Sequence, residues 1–318
     1  MSYSKEIVEL VFSDFEKRRN KNEDSQKLRL LEVYSRVPEI KKIDYELSST
    51  GLQILSASLQ GKDELEKRLS AIRQANKDLQ NKRASLLEAN GFDKNYTDIK
   101  YECEICKDEG YVNGKMCSCL RNALITKQLE ISGVGQLISN QSFQNFSLDM
   151  YPNECREEMA CLFEDLKDYA FGFTKESSNI LFLGGTGLGK THLSTAIARA
   201  IIEKGYYVIY ETATNIFSDF ENDRFRDRYS GEDPISKKYM ECDLLIIDDL
   251  GTEVVTNFTV SCLYNLINTR LNKKLPIILS TNLNSTEIRK LYNDRITSRL
   301  FGDFEIKMFK GTDIRKIK

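Results

Sequence analysis

The chain has 318 residues with 46 basic and 48 acidic side chains, long enough for two cores and too evenly charged to attract nucleic acid by net field. No run of about 18 apolar residues occurs, and the N-terminal MSYSKEIVELVFSDFEKRRN is too charged for a signal peptide, so a cytoplasmic protein without a membrane span is expected. In a reducing compartment the eight cysteines are poor disulfide candidates.

Residues 1–95 hold a single proline, Pro38, and are dense in Leu, Ile, Glu and Lys at helical spacing. Leu65, Leu69, Ile72, Asn76, Leu79, Arg83 and Leu86 recur at alternating steps of four and three. That is a coiled-coil-like seam with two polar interruptions. It predicts an all-α region, an internal helical hairpin or bundle that can also present one face to a partner protein. Gly91 reads as a helix stop.

Residues 96–122 form a small Cys-rich module. Cys103 and Cys106 make a C-x2-C knuckle, and Cys117 and Cys119 follow after a turn-rich segment containing Gly110 and Gly114. Four thiolates suit a structural tetrahedral Zn2+. An iron–sulfur cluster and unmetallated thiols are the alternatives. The other four cysteines, Cys155, Cys161, Cys242 and Cys262, are scattered and expected as small buried side chains. Residues 123–175 read as a connector with helical pieces, in which Phe143 and Phe146 are expected to anchor a core.

From residue 176 to 318 apolar strands alternate with helices. The segments 180–183, 207–211, 244–247, 277–281 and 304–309 are strand-like, and their spacing argues for a parallel α/β sheet covered on both faces. After the first strand, Gly184, Gly185, Thr186, Gly187, Leu188, Gly189, Lys190 and Thr191 spell G-x-x-x-x-G-K-[ST] and open a helix. In that context the loop's N–H groups and the helix N-terminus cradle phosphates, Lys190 reaches the β- and γ-phosphates, and the Thr191 hydroxyl ligates Mg2+. ATP and Mg2+ are the expected cofactors. His192, the only histidine, follows on the first helical turn and is counted with the cradle in a packing or capping role.

Leu244-Leu245-Ile246-Ile247 runs into Asp248 and Asp249 at the carboxyl end of a strand, where ligands bind in open α/β sheets. Asp248 is assigned to Mg2+ and Asp249 to the attacking water. The strand 277–281 ends at Asn282, placed to reach the γ-phosphate or that water. Arg295 and Arg299 lie four apart on one helix face, where they are either solvated or supplied to a phosphoryl group across an interface. Residues 224–229, Arg-Phe-Arg-Asp-Arg-Tyr, interleave cations and rings as a single-stranded DNA site would, or form an amphipathic helix burying Phe225 and Tyr229. Lys307, Lys310, Arg315, Lys316 and Lys318 make a basic tail.

The phosphate loop with "IIDDLGTE", "STN", "RITSRL" and "GTDIRKIK" resembles the bacterial replicative helicase loaders of the DnaC/DnaI type, a branch of the AAA+ ATPases that includes IstB-type transposase helpers. The resemblance covers about 178–318 strongly and continues into the Cys module, where it favours zinc. It implies a P-loop AAA+ core with a five-stranded parallel sheet of order 5-1-4-3-2. It makes Gly184–Thr191 the Walker A motif, Asp248 and Asp249 Walker B, and Asn282 sensor 1. It also makes Arg299, with neighbour Arg295, the arginine finger and Arg315 the sensor-2 arginine. Nine residues follow the last expected strand, so the usual helical lid is expected to be lacking, as in the loader family. The pocket would then be closed by a second copy in an ATP-dependent homo-oligomer. The resemblance further implies an ATPase that loads the replicative DNA helicase, docks on it through residues 1–95 and grips single-stranded DNA. A transposase-helper ATPase or an ATP-gated adaptor with negligible turnover are the alternatives.

Overall fold

The computed structural model describes residues 3–59, 64–133, 141–225 and 233–314. It divides into two compact units, Phe12–Cys119 and the remainder (Met1–Val11 with Leu120–Lys318).

The smaller unit is built from α1 (Lys5–Arg36, from Phe12 onward), α2 (Pro38–Ser48), α3 (Thr50–Leu59) and α4 (Leu65–Ala89), then the two-stranded hairpin β1 (Tyr111–Val112) and β2 (Lys115–Met116). Pro38 sets the break between α1 and α2: it occupies the first turn of α2, and Val37 before it is non-helical (φ −133°, ψ 78°). The seam read on α4 faces inward. Leu65, Leu69, Ile72, Asn76, Leu79, Arg83 and Leu86 are each half-buried. The partners lie within the chain, so the internal-hairpin reading describes the fold. Both polar interruptions are satisfied. Asn76 Oδ1 accepts from Thr50 Oγ1 at 3.0 Å. Arg83 donates to both oxygens of Asp44 (2.6 and 3.3 Å) and to Thr97 Oγ1 at 2.8 Å. Val33, Val37, Ile40, Leu87 and Phe92 close the small core.

The larger unit carries α5 (Ser118–Ile131, from Leu120 onward), two 3-10 turns (Phe143–Asn145 and Leu148–Met150) and α6 (Asn153–Gly172). These lead into β3 (Asn179–Leu183), α7 (Lys190–Glu203), β4 (Val208–Thr212), α8 (Ala213–Phe225), α9 (Lys237–Glu241) and β5 (Leu244–Leu250). Then come α10 (Asn257–Asn272), β6 (Ile277–Thr281), α11 (Ser285–Gly302) and β7 (Phe304–Met308). The strands pair in parallel in the order β4-β5-β6-β3-β7. Numbered within this sheet and read from the other edge, that order is 5-1-4-3-2. All five expected strands are present; β5 runs three residues further than its apolar stretch, so both aspartates lie inside it.

Alternation along each strand fills two cores. Ile180, Phe182, Val208, Tyr210, Leu244, Ile246 and Ile278 pack with α6 and α7. Leu181, Leu183, Ile209, Leu245, Ile247, Ile277 and Leu279 pack on the opposite face with α8, α10 and α11. Burial on both faces explains why these strands are continuous apolar runs. Capping boxes at Thr256/Thr259 and Asn284/Glu287 start α10 and α11. The side chain of Asn284 accepts from Thr286 N and Glu287 N. The buried guanidinium of Arg270 ties α10 to the carbonyls of Tyr239, Cys242 and Pro276. Cys155, Cys242 and Cys262 are buried as expected, whereas Cys161, on the outer face of α6, is exposed.

Asp44→Ala strands the half-buried Arg83 of the helical unit. It is expected to cost roughly 1–3 kcal/mol, read as a lower urea midpoint by circular dichroism. Lys67→Ala removes one partner of an exposed pair with Glu64 and is expected to leave that midpoint in place.

Candidate nucleotide-binding site

The strand β3 ends at Leu183 and α7 begins at Lys190, so the loop 184–189 points its amides and the α7 N-terminus into one cleft. The cleft holds about 550 Å3 and is lined by residues 186–192, by Asp249 and Asn282, and by Gln141, Asn145, Phe146, Ser147, Met150 and Ile314. Two glycines are demanded by geometry. Gly187 (φ 72°) lies against the Asp313 carboxylate, where a Cβ would fall 1.7 Å from an oxygen. Gly189 (φ 85°) lies against Phe146 and Tyr151, where a Cβ would come within 2.9 Å of either ring system. The loop is pinned from outside by Tyr151 OH donating to Leu188 O (2.8 Å) and Ile314 N donating to Gly187 O (3.0 Å).

Lys190 is 5% exposed, and its ammonium donates to Gly184 O and Gly185 O, both at 2.7 Å, and to Asn282 Oδ1 at 2.5 Å. A buried cation aimed into a ring of oxygens fits a polyanion. Thr191 Oγ1 donates to Asp248 Oδ2 at 3.0 Å. Tyr210 OH donates to the same oxygen at 2.5 Å, and Ser280 Oγ donates to Oδ1. Burial, with the Asp248 charge second, pushes the Tyr210 phenol far above its ordinary range, so it remains a donor.

Asp249 reaches the cleft through a β-bulge. Ile247 pairs with Leu279 but Leu250 pairs with Thr281, so β5 carries one extra residue there. Asp249 takes φ 54° at this point, and its N–H donates to Ser280 Oγ at 3.0 Å. In a regular strand the two carboxylates would face opposite sides of the sheet; the extra residue brings Asp249 to the cleft that Thr191 lines, while Asp248 is buried behind it. His192 packs edge-on to Phe146 (5.2 Å between centroids) and its Nε2–H donates to Ser142 O at 2.9 Å. That pins the 141–150 segment to α7.

The remaining sequence-derived residues lie elsewhere. Asn293, at φ 71° inside α11, caps a fresh helical segment by accepting from Arg295 N and Ile296 N. Arg295 and Arg299 ride on that segment and do not line this chain's own cleft. Arg295 is exposed, and Arg299 is held by Asp303 (3.2 Å) and Asn268 (3.3 Å). Arg224 lies over the Phe258 ring at 5.4 Å, and Phe225 is 76% exposed, so the expectation that an amphipathic helix buries Phe225 is not met. Lys307 pairs with Asp165 and Lys310 with Glu158, which mutes the basic tail. Arg315, Lys316, Lys318 and the stretch 226–229 lie outside the described residues. Sequence reasoning missed Asn145, Ser147, Met150, Tyr210 and Ser280 as site residues; Phe146 was read as a core anchor only.

In the helical unit the sulfurs of Cys103, Cys106, Cys117 and Cys119 all lie within 4.8 Å of one another. A tetrahedron of ~2.3 Å Zn–S bonds has edges of about 3.8 Å. Cys103–Cys117 at 3.8 Å matches that edge and Cys106–Cys119 at 3.3 Å is shorter, and four sulfurs all within 4.8 Å leave room for one ion between them. The knuckle is preformed: Gly110 N donates to Cys106 Sγ, and buried Asp108 accepts from Glu102 N, Cys103 N and Asn22 Nδ2. The Cys106 N–H bond pulls the Cys103 thiol down to about 7, while burial raises Cys119.

The family model described as IstB-like ATP binding protein matches residues 156–306. The replicative helicase loader DnaC of Escherichia coli (strain K12) is 28% identical over 169 residues, which are 53% of this chain and 66% of that protein. The phage-like element PBSX protein XkdC of Bacillus subtilis (strain 168) is 29% identical over 198 residues, 58% of this chain and 73% of that one. A crystal structure of the DnaC helicase loader superposes with a TM-score of 0.47 at 19% identity, over 55% of this chain and 99% of that one.

If the four-thiol cage holds zinc, metal analysis of freshly purified reduced protein returns about one zinc per chain, and Cys106→Ser loses it. Iron in place of zinc, or no metal, refutes that assignment.

Proposed function

We propose that this chain, which belongs to the DnaC/IstB-like AAA+ family, is an ATP-hydrolysing loader of a replicative DNA helicase. The carrying observation is the 3.0 Å hydrogen bond from Thr191 to Asp248, with Lys190 meeting Asn282 beside it. Phosphate loop, paired acids and sensor asparagine thereby address one cleft.

The donor set fits Mg-ATP. The loop amides and Lys190 would hold the β- and γ-phosphates, and the Thr191 hydroxyl and Asp248 would hold Mg2+, which supplies charge neutralisation at the phosphate oxygens. Asp249, rotated into the cleft by the bulge, would orient the attacking water and accept its proton. Asn282 would fix that water against the γ-phosphate once Lys190 turns from the asparagine to the phosphate. The segment 141–150, with the Phe146 ring and the Asn145 and Gln141 amides, offers an apolar and hydrogen-bonding wall for the base. Arg299, with Arg295 beside it, would act on the nucleotide of a second copy, and Arg315 would complete the sensor set.

The domain roles follow the same reading: residues 1–95 dock on the helicase, 96–122 form a zinc module that braces them, 123–175 connect, and 176–318 are the ATPase. The stretch 224–229 is the proposed single-stranded DNA contact, supported by the exposed Phe225 ring beside Arg224. The chain spans 66% of the DnaC sequence that it matches, so helicase and DNA partners are assigned by relationship.

Turnover with and without single-stranded DNA separates the loader from an adaptor that only binds ATP, and capture of the replicative helicase by the full chain separates it from a transposase helper. Asp249→Asn is expected to lower kcat ~100-fold or more. Lys190→Ala and Arg299→Ala are expected to be inactive alone and partly active when mixed, because one intact interface can form from two defective copies. No recovery on mixing, or sedimentation as a strict monomer with ATP, DNA and helicase, refutes the shared site.

A further inference from the structure

Asp248 is 4% exposed, and its carboxylate is met by three hydroxyls from three elements. Thr191 comes from the phosphate loop's helix and Ser280 from β6, the strand that Asn282 follows, so both adjoin recognised motifs. Tyr210 comes from β4, which carries none, and its ring stands in an apolar face with Ile180, Phe182, Val208, Leu244 and Ile246. A phenol rather than a phenyl there buries a polar group, which is costly unless it is bonded. Its hydroxyl donates to Asp248 Oδ2 at 2.5 Å and accepts from Ser194 Oγ at 3.4 Å.

The tyrosine cannot drift away from this contact. On one side β4 is in register with β5, Tyr210 opposite Ile246. On the open edge, Tyr210 N donates to Ser132 O at 2.9 Å. Gly133 (φ 85°) abuts the Tyr210 carbonyl so closely that a Cβ there would lie 2.1 Å from the oxygen. The turn after α5 therefore clamps the backbone that aims the ring.

We propose that Tyr210 is a positioning residue for the magnesium ion of the nucleotide site: its hydroxyl fixes the rotation of the Asp248 carboxylate so that Thr191 and the cleft are presented with a set geometry. The inference rests on the nucleotide reading above. The terminal torsion of an aspartate is broad and roughly two-fold, so the carboxylate needs external bonds to stay put. With Tyr210 donating to Oδ2 and Ser280 to Oδ1, the Thr191 proton also points at Oδ2, and the lone pairs of Thr191 are left for a cation. Removing the phenol hydroxyl takes away one of the three bonds that hold the carboxylate and loosens its rotation, and that of Thr191 with it. Phosphate contacts made by the loop amides and Lys190 do not pass through Tyr210. The defect should therefore appear in metal dependence and spare metal-free nucleotide binding.

The test uses the full chain and a fluorescent ATP analogue, titrated first in EDTA and then with Mg2+ at fixed nucleotide. Tyr210→Phe is expected to bind the analogue in EDTA within about twofold of the wild type, and to need ~10-fold more Mg2+ to reach the half-point, as suits a lost hydrogen bond to a charged group. Gly133→Ala, which presses on the Tyr210 carbonyl and keeps the hydroxyl, is expected to raise the Mg2+ half-point in the same direction. An unchanged half-point in both variants overturns the proposal, and so does an equal loss in EDTA and in Mg2+, which marks a merely structural tyrosine. A wild type that binds no nucleotide under either condition overturns the nucleotide reading and this inference with it.

Discussion

The hydrogen bond from Thr191 Oγ1 to Asp248 Oδ2 joins the first turn of α7 to the end of β5, two elements 57 residues apart in sequence. It exists because β3 lies next to β6, and β6 next to β5, so the carboxyl ends of all three strands open onto one crevice. Strand order brings the phosphate loop, Asp248 and Asn282 to the same end of the sheet. The crevice is also where the sheet changes direction of build, because the chain leaves β3 toward β4 on one side and leaves its neighbour β6 toward β7 on the other, the place where open α/β sheets bind ligands.

What the fold does not supply, a local irregularity does. Asp249 follows Asp248 directly, and a flat strand would send it to the α10 side. The bulge opposite Leu279 and Thr281, with Asp249 in a left-handed conformation, redirects it to the cleft. Left-handed backbone at a non-glycine residue costs free energy, which the Asp249 N–H bond to Ser280 Oγ partly offsets. Ser280 thus serves both acids, donating to Asp248 and accepting from Asp249. A second non-helical residue, Asn293, restarts α11 just before Arg295 and Arg299. These two left-handed residues lie inside a strand and a helix, and each carries or precedes charged side chains.

This division sets how much could be read from residues alone. The phosphate loop, the apolar runs of β3, β5 and β6, and the α4 seam follow from periodicity and spacing, because buried parallel strands and paired helices impose those periods. The bulge was not legible: Leu-Leu-Ile-Ile-Asp-Asp has no break in pattern, and the extra residue is defined only against its neighbour strand. The wall formed by 141–150 was missed because short 3-10 turns have no hydrophobic period, and Phe146 divides itself between core and cleft. Tyr210 was hidden for a different reason. In a buried strand a tyrosine reads as an apolar filler, and the partner for its hydroxyl lies on the neighbouring strand, two positions beyond Ile246, which it faces in register. Cys161 was misassigned because cysteine composition says little about which face of α6 it takes.

The electrostatics of Asp248 separate it from an ordinary buried acid. A carboxylate sealed against a lysine or arginine would be stabilised, and a metal would then have to displace that cation. The described partners of Asp248 are hydroxyls, from Thr191, Tyr210 and Ser280. Hydroxyl dipoles lower the cost of burying the charge without cancelling it. The acid is thus held by dipoles behind Thr191, which lines the cleft. Lys190 shows the complementary arrangement, with its charge surrounded by the carbonyls of Gly184 and Gly185 and the Asn282 amide. Hydroxyls meet the acid and amide or carbonyl oxygens meet the lysine, an arrangement that suits the proposed metal-bound triphosphate.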